Sequence, residues 1–286
     1  MVAAALNIRP LTETFGAEVR GVRLSGTIDS AVMDEIRALW LRYGVLLFRD
    51  QEGMSKDEHI GFSRQIGPLE RHLREEWLND SHPEILQISN MKKDGKPLGA
   101  LADAEVGWHY DQIYLPRPAL ASVLCSIKIP PSGGSTWFAD MTSAWARLPR
   151  HLKDIVSGRN ALQSYGVFNR LYSTDPNAKQ TNLTPDLTHP FVRTHPLTGR
   201  EALYICPGMT IGIVGLPDDE AKAVLEELFA WCVRPEFVYS HEWRLGDALL
   251  WDNACTMHRR DPFDPAEDRM MHRTTILPPP DRSVPF

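Results

Sequence analysis

His109 and Asp111, in the run Trp108-His109-Tyr110-Asp111, are the residues of this chain best suited to chemistry. Side chains alternate along a β-strand with period two, so an imidazole and a carboxylate two positions apart share one face and can grip one metal ion. Two protein ligands hold a catalytic ion poorly, and the best third ligand is His258, at the end of Trp251-Asp252-Asn253-Ala254-Cys255-Thr256-Met257-His258. Two imidazoles and one carboxylate on one side of an ion leave the other side open, the donor set of non-haem Fe(II) and oxygen chemistry. The same set suits Zn2+ and an activated water. That hydrolase would need a general base, and Glu105 is the only acid close by in sequence. A non-catalytic binding protein on the same scaffold is a third reading; it predicts a damaged ligand set, and here all three residues are present.

A His-x-acid pair arises easily by chance among 10 His and 37 acidic residues, so its surroundings decide. The 286 residues show no linker, repeat or low-complexity segment and are expected to form a single domain, 1–286. Net charge is −6 with no basic stripe, which argues against a nucleic-acid partner. Cys125, Cys206, Cys232 and Cys255 are scattered and read as buried thiols of a reducing cytoplasm. The apolar start, Met1 to Leu6, lacks a basic region, and no run approaches the ~20 apolar residues that span a bilayer. The expectation is a cytoplasmic enzyme with a small-molecule substrate and no membrane partner.

The elements that must position the ligands follow in order. Ile8 to Leu24 alternates as one or two strands. Asp29-Ser30 caps a helix to about Tyr43, whose stripe of Val32, Met33, Ile36, Leu39 and Trp40 is core; Gly44 ends it, and Val45 to Phe48 is a buried strand. Ser55-Lys56-Asp57-Glu58 is a capping box opening a helix to Ile66. Glu84 to Ser89 is a strand, and residues 90–107 read as an irregular lid. Strands are expected at Tyr110 to Leu115, Ala119 to Ile129 and Thr136 to Phe138, then helices at Thr142 to Leu148 and His151 to Ser157. Residues 169–189 read as a second lid-like loop, Phe191 to Ile205 as a hairpin, and Asp218 to Val233 as an amphipathic helix. Phe237 to Trp243, Ala248 to Trp251 and Met270 to Ile276 close the structure as strands. Many short strands with helices outside give a mainly β fold with peripheral helices, a double-stranded β-helix or jelly roll.

Six blocks resemble the taurine dioxygenase / 2,4-dichlorophenoxyacetate dioxygenase (TauD/TfdA) family of Fe(II)- and 2-oxoglutarate-dependent oxygenases. They are Gly44–Arg49, Phe62–Leu69, Trp108–Asp111, Pro131–Thr136, Gly246–Asn253 and Arg269–Arg273. The resemblance implies a clavaminate synthase-like jelly roll, with His109, Asp111 and His258 as iron ligands and 2-oxoglutarate and O2 as cosubstrates. It implies that Arg269 pairs with the far carboxylate of 2-oxoglutarate, where a guanidinium gives bidentate contact that a lysine would not. Thr136 matches the hydroxyl on that carboxylate and Trp251 the aromatic beside it. On residue type alone these three would be a surface ion pair, a β-former and simple core. Arg273 and His72 match the substrate-facing pair of taurine dioxygenase-like members. Glu105 and Glu75 depart from the taurine pattern, so the substrate is expected to be a small anion, a sulfonate or an aryloxyalkanoate-type carboxylate. Family members are often dimers or tetramers, which makes a homo-oligomer the expectation.

Overall fold

The computed structural model describes residues 6–71, 78–79, 81–100, 103, 105–169 and 184–279. It opens with the antiparallel pair β1 (Asn7–Pro10) and β2 (Ala17–Arg20). Helix α1 (Ser30–Tyr43) is capped by the Asp29 carboxylate, which accepts from Ala31 N–H, and ends on Gly44 in the left-handed region at φ 71°. After β3 (Val45–Phe48), α2 (Lys56–Ile66) starts with both halves of the Ser55/Glu58 capping box formed. Next come β4 (Leu78–Asn79), β5 (His82–Ser89), the small pair β6 (Lys92–Lys93) and β7 (Lys96–Pro97), β8 (Val106–His109), β9 (Ala121–Lys128) and β10 (Thr136–Asp140). Helices α3 (Met141–Ala146) and α4 (Arg150–Val156) lead to β11 (Asn160–Gln163) and α5 (Tyr165–Asn169). The chain closes through β12 (Leu187–Pro190), β13 (Val192–Thr194), β14 (Glu201–Leu203), β15 (Thr210–Ile213), α6 (Asp218–Cys232), β16 (Val238–His241), β17 (Ala248–Asp252), β18 (Thr256–Arg260) and β19 (Met270–Ile276).

Two sheets make the roll. The larger has the order β1-β2-β3-β17-β9-β19-β5-β4 and the smaller β16-β10-β18-β8. Alternation sorts the strand residues of the larger sheet. Val45, Leu47, Leu249 and Trp251 pack inward with Leu124, Met271 and Phe138 of the smaller sheet. Leu46, Phe48, Ala248 and Leu250 pack outward against Met33, Ile36 and Trp40 of α1. Burial on both faces is why β3 and β17 read as unbroken apolar runs rather than alternating ones. Beneath the smaller sheet a third core gathers Ala139 and Met257 with residues of α3, α4 and α6. A three-stranded sheet, β12-β11-β15, flanks it.

Several expectations change. Tyr110 to Leu115 is not a strand: β8 stops at His109, and the chain turns, with Gln112 at φ 61°. Tyr110, Ile113 and Tyr114 all enter the third core, a spacing of three and four that suits a turn, not a two-residue period. Residues 90–107 are not irregular throughout, because β6 pairs with β7 and Ala100 bridges to Ile88. In 169–189, Leu187–Pro190 is a strand, and 170–183 lie outside the described residues. Strands β11 and β15 were missed: Asn160-Ala161-Leu162-Gln163 and Thr210-Ile211-Gly212-Ile213 are too short and mixed to alternate cleanly. All four cysteines are buried free thiols, and no described helix is long and apolar enough to cross a membrane.

The fold buries imidazoles, and that sets a pH dependence. Burial holds His59 down to about 3 and His189 and His272 down to about 4. The unfolded chain would protonate all three near 6.5, so it binds more protons below that pH and the folded state loses stability as pH falls towards 4. Glu70, pushed up to about 7 by burial, works in the opposite sense between its unfolded value and 7 and cancels one of the three protons. Among these four groups the net difference of roughly two protons contributes a loss of about 2–3 kcal/mol per pH unit below pH 6, trimmed by screening at the half-buried His272 and Glu70, and burial lowers His109, His241 and His258 in the same sense. Urea midpoints should fall steeply between pH 6.5 and 5; a flat profile there would contradict the burial of these groups.

Candidate metal centre and active site

His109 is the last residue of β8 and lies opposite His258 in the register of β8 with β18. The two rings are 4.1 Å apart between centroids. His258 sits in the middle of its strand rather than ending one, and Asp111 is delivered by the turn after β8 rather than by a shared strand face. The convergence nevertheless holds: one ligand atom from each of His109, Asp111 and His258 lies within 4.8 Å of the others, and all three residues are buried. His258 Nε2 is 4.0 Å from Asp111 Oδ1.

Protonation states suit a cation. Burial alone would raise the Asp111 pKa, but Arg273, then His258, His109 and the Ser122 hydroxyl overcome it and hold the carboxyl well below the usual range. Burial drives His109 and His258 down, so both imidazoles are neutral. His109 Nδ1 is 2.8 Å from the Gly107 carbonyl, which can only accept; Nδ1 therefore carries the proton and Nε2 keeps a lone pair. Two neutral imidazoles and an ionised carboxylate are the forms that bind metal. Lone pairs crowded in a dry site repel unless a cation lies among them, and this donor set fits a small divalent ion with Fe(II) character.

A narrow cavity of about 40 Å³ opens beside the two imidazoles, between the sheets. Thr136, Trp251, Arg269 and Arg273 all line it, as does Arg260, which sequence reasoning missed. Arg260 lies two positions beyond His258 on β18, so period two would have found it. Arg269 is 2% exposed and makes no ion pair with a described residue. Burial and the charge of Arg260 draw its pKa down to about 9, which still leaves it charged at neutral pH. A buried guanidinium such as Arg269, with no ion pair to a described residue, calls for an anion in the cavity it lines. The Gly133-Gly134 turn gives Arg269 its room: a Cβ on Gly134, at φ +68°, would sit 3.3 Å from Arg269 Nε. Thr136 Oγ1 accepts a 2.9 Å bond from Trp243 Nε1, which leaves the hydroxyl proton free to donate into the cavity. Trp243 was not singled out from the sequence. Trp251 is core, 1% exposed, and cavity wall at once.

Arg273 donates from Nη1 to Asp111 Oδ1 at 2.7 Å, so it reaches the metal-ligand cluster as well as the cavity. His72 and Glu75 lie outside the described residues. Glu105 is exposed and pairs with Arg259 at 3.5 Å beside Trp108 and Trp137, away from the cavity, so a hydrolytic base is not found there. In a second cluster, His195, Asp252 and Cys255, the imidazole and carboxylate atoms are committed to hydrogen bonds. His195 Nε2 is 2.7 Å from Asp252 Oδ2, while its Nδ1 accepts from Leu197 and Thr198 N–H. That cluster pins the β13–β14 hairpin to the end of β17.

Residues 7–275 match the family model "Taurine catabolism dioxygenase TauD, TfdA family". The chain is 36% identical over 279 residues to the alpha-ketoglutarate-dependent 2,4-dichlorophenoxyacetate dioxygenase of Cupriavidus pinatubonensis, covering 94% of this chain and 96% of that protein. It is 32% identical to the (S)-phenoxypropionate/alpha-ketoglutarate-dioxygenase of Sphingobium herbicidovorans, covering 98% and 97%. Among solved structures it is similar to AAD-2 in complex with Mn(II) and N-oxalylglycine, with a TM-score of 0.82, 29% identity and coverage of 96% and 97%.

Proposed function

We propose a division of labour for this site from one premise: the chain belongs to the TauD/TfdA family, and it is a 2-oxoglutarate-dependent non-haem iron dioxygenase with a jelly-roll fold. Its cofactor is Fe(II), with 2-oxoglutarate and O2 as cosubstrates. The observation that carries the residue assignments is the meeting of His109, Asp111 and His258 beside a cavity walled by buried arginines. In this reading those three residues hold the iron. Arg269, helped by Thr136, binds the far carboxylate of 2-oxoglutarate, and Trp251 closes the wall beside it. Arg273 faces the anionic group of the substrate, the group to which the family resemblance also assigns His72.

Bound Fe(II) with 2-oxoglutarate and O2 supplies the oxidation, in which 2-oxoglutarate becomes succinate and CO2 and one substrate C–H becomes C–OH. The chain's own residues supply orientation and dryness. Ile88 and Leu124 contribute apolar wall, which strengthens each charged contact inside. Arg273 is tied to Asp111, so it stands beside the metal ligands and orients a substrate anion toward them. No side chain is required as a general base.

The substrate is a small anion, and the aryloxyalkanoate carboxylates come first, because the 2,4-dichlorophenoxyacetate and phenoxypropionate enzymes are similar over nearly the whole chain. Succinate formation with Fe(II) and 2-oxoglutarate should rise on adding an aryloxyalkanoate, and less on adding a sulfonate. Sulfonates outperforming every aryloxyalkanoate would reverse the substrate order. No stimulation by any small organic anion would defeat the reading.

A further inference from the structure

Ser122, Asn253 and Trp251 form a hydrogen-bonded chain that ends on Asp111. Trp251 Nε1 donates to Asn253 Oδ1 at 2.9 Å, Asn253 Nδ2 donates to Ser122 Oγ at 3.0 Å, and Ser122 Oγ donates to Asp111 Oδ2 at 2.7 Å. Chemistry fixes the direction of every link. An indole N–H can only donate, so the Asn253 amide must turn its oxygen toward Trp251 and its NH2 toward Ser122. Ser122 Oγ then accepts from Asn253, and its one proton goes to Asp111. Ser122 and Asn253 are fully buried, and Trp251 lies opposite Ser122 in the β17–β9 register, so sheet pairing sets the geometry.

We propose that Ser122 and Asn253 are positioning residues for the metal centre: they hold Asp111 Oδ2 so that Oδ1, which lies 4.0 Å from His258 Nε2 and accepts from Arg273 Nη1 with one lone pair, offers its other lone pair to the ion. The proposal rests on the metal-ligand assignment above and adds what steers the carboxylate. It also explains why Asn follows Trp-Asp at 251–253: an Asp or Leu at 253 could not donate to Ser122. Partners of this kind set ligand orientation and basicity at metal sites.

The test is Mn(II) binding to the full chain, followed by equilibrium titration, since Mn(II) probes the site without turnover. Ser122→Ala should weaken Mn(II) binding roughly 10- to 100-fold. Asn253→Ala should weaken it less, because Ser122 can still donate. Ser126→Ala is the control: that hydroxyl is also buried on β9 but donates to the Arg244 carbonyl, away from the site. It should cost stability and leave Mn(II) affinity within about two-fold of wild type. If Ser122→Ala does not fold, Ser122→Cys puts a larger and weaker donor at the same position and should show a loss in the same direction. An unchanged affinity in the folded Ser122 variant, or an equal loss in Ser126→Ala, overturns the brace. His109→Ala separates this from the premise. Should that variant keep wild-type Mn(II) affinity, the ligand assignment itself fails; should it lose binding while Ser122 variants keep it, only the brace does.

Discussion

Asp111→Ala is expected to lower succinate formation by about 10³-fold or more at saturating Fe(II) and substrate, a larger loss than outer partners of a metal site produce. Asp111 is the only anion among the three proposed ligands, and its removal leaves two neutral imidazoles beside Arg273. An incoming divalent cation would then meet an uncompensated guanidinium in a poorly screened site. The Ser122 hydroxyl would also lose its acceptor. Asp111→Asn keeps the shape and removes the charge, so it should fail almost as badly; a variant that failed only through lost packing would be rescued by it. Succinate formation within ten-fold of wild type in Asp111→Ala would remove this residue from the metal centre.

Much of the candidate site was legible in the sequence because its parts have local signatures. A His-x-Asp pair, a Gly-Gly turn before a Thr, and arginines near the last strand each carry their chemistry in residue type and spacing. The two-sided strands were legible too, since Val45-Leu46-Leu47-Phe48 can only be buried on both faces. What failed was the local path near His109. The expectation of one strand through Asp111 relied on period two, while the apolar residues Tyr110, Ile113 and Tyr114 were answering to the third core. The ligands still converge because turn and strand are both anchored: Tyr110 donates its hydroxyl to the Leu203 carbonyl at 2.7 Å. Ser122 and Trp243 stayed invisible for a different reason. A Ser in an apolar strand and a Trp after a strand are ordinary core residues until a long-range pairing shows which polar atom each one touches. Their sequence separations from Asp111 and Thr136, 11 and 107, leave no local pattern to read.

Arg269→Met is expected to raise the half-saturating concentration of 2-oxoglutarate by roughly 30-fold to several-thousand-fold, the equivalent of about 2–5 kcal/mol for truncating one partner of a buried, hydrogen-bonded charge pair. Burial makes the figure large. At 2% exposure and with no ion pair to a described residue, Arg269 has shed its water without gaining a protein carboxylate, so its favourable partner must come from the ligand. Arg260 presses in the same direction, since its like charge raises the cost of leaving the cavity without an anion. Arg269→Lys tests geometry apart from charge. A lysine keeps the cation but offers a point donor in place of the guanidinium fork, so it should recover only part of the loss. Two further readouts make the assignment specific. Mn(II) affinity should stay near wild type in both variants, because neither touches His109, Asp111 or His258. The metal-free protein should become no less stable, and Arg269→Met is expected to be somewhat more stable, because an apolar side chain replaces a buried charge that has no counterion among the described residues. A 2-oxoglutarate dependence unchanged in Arg269→Met would move the cosubstrate carboxylate elsewhere, and Arg260 would be the next residue to replace.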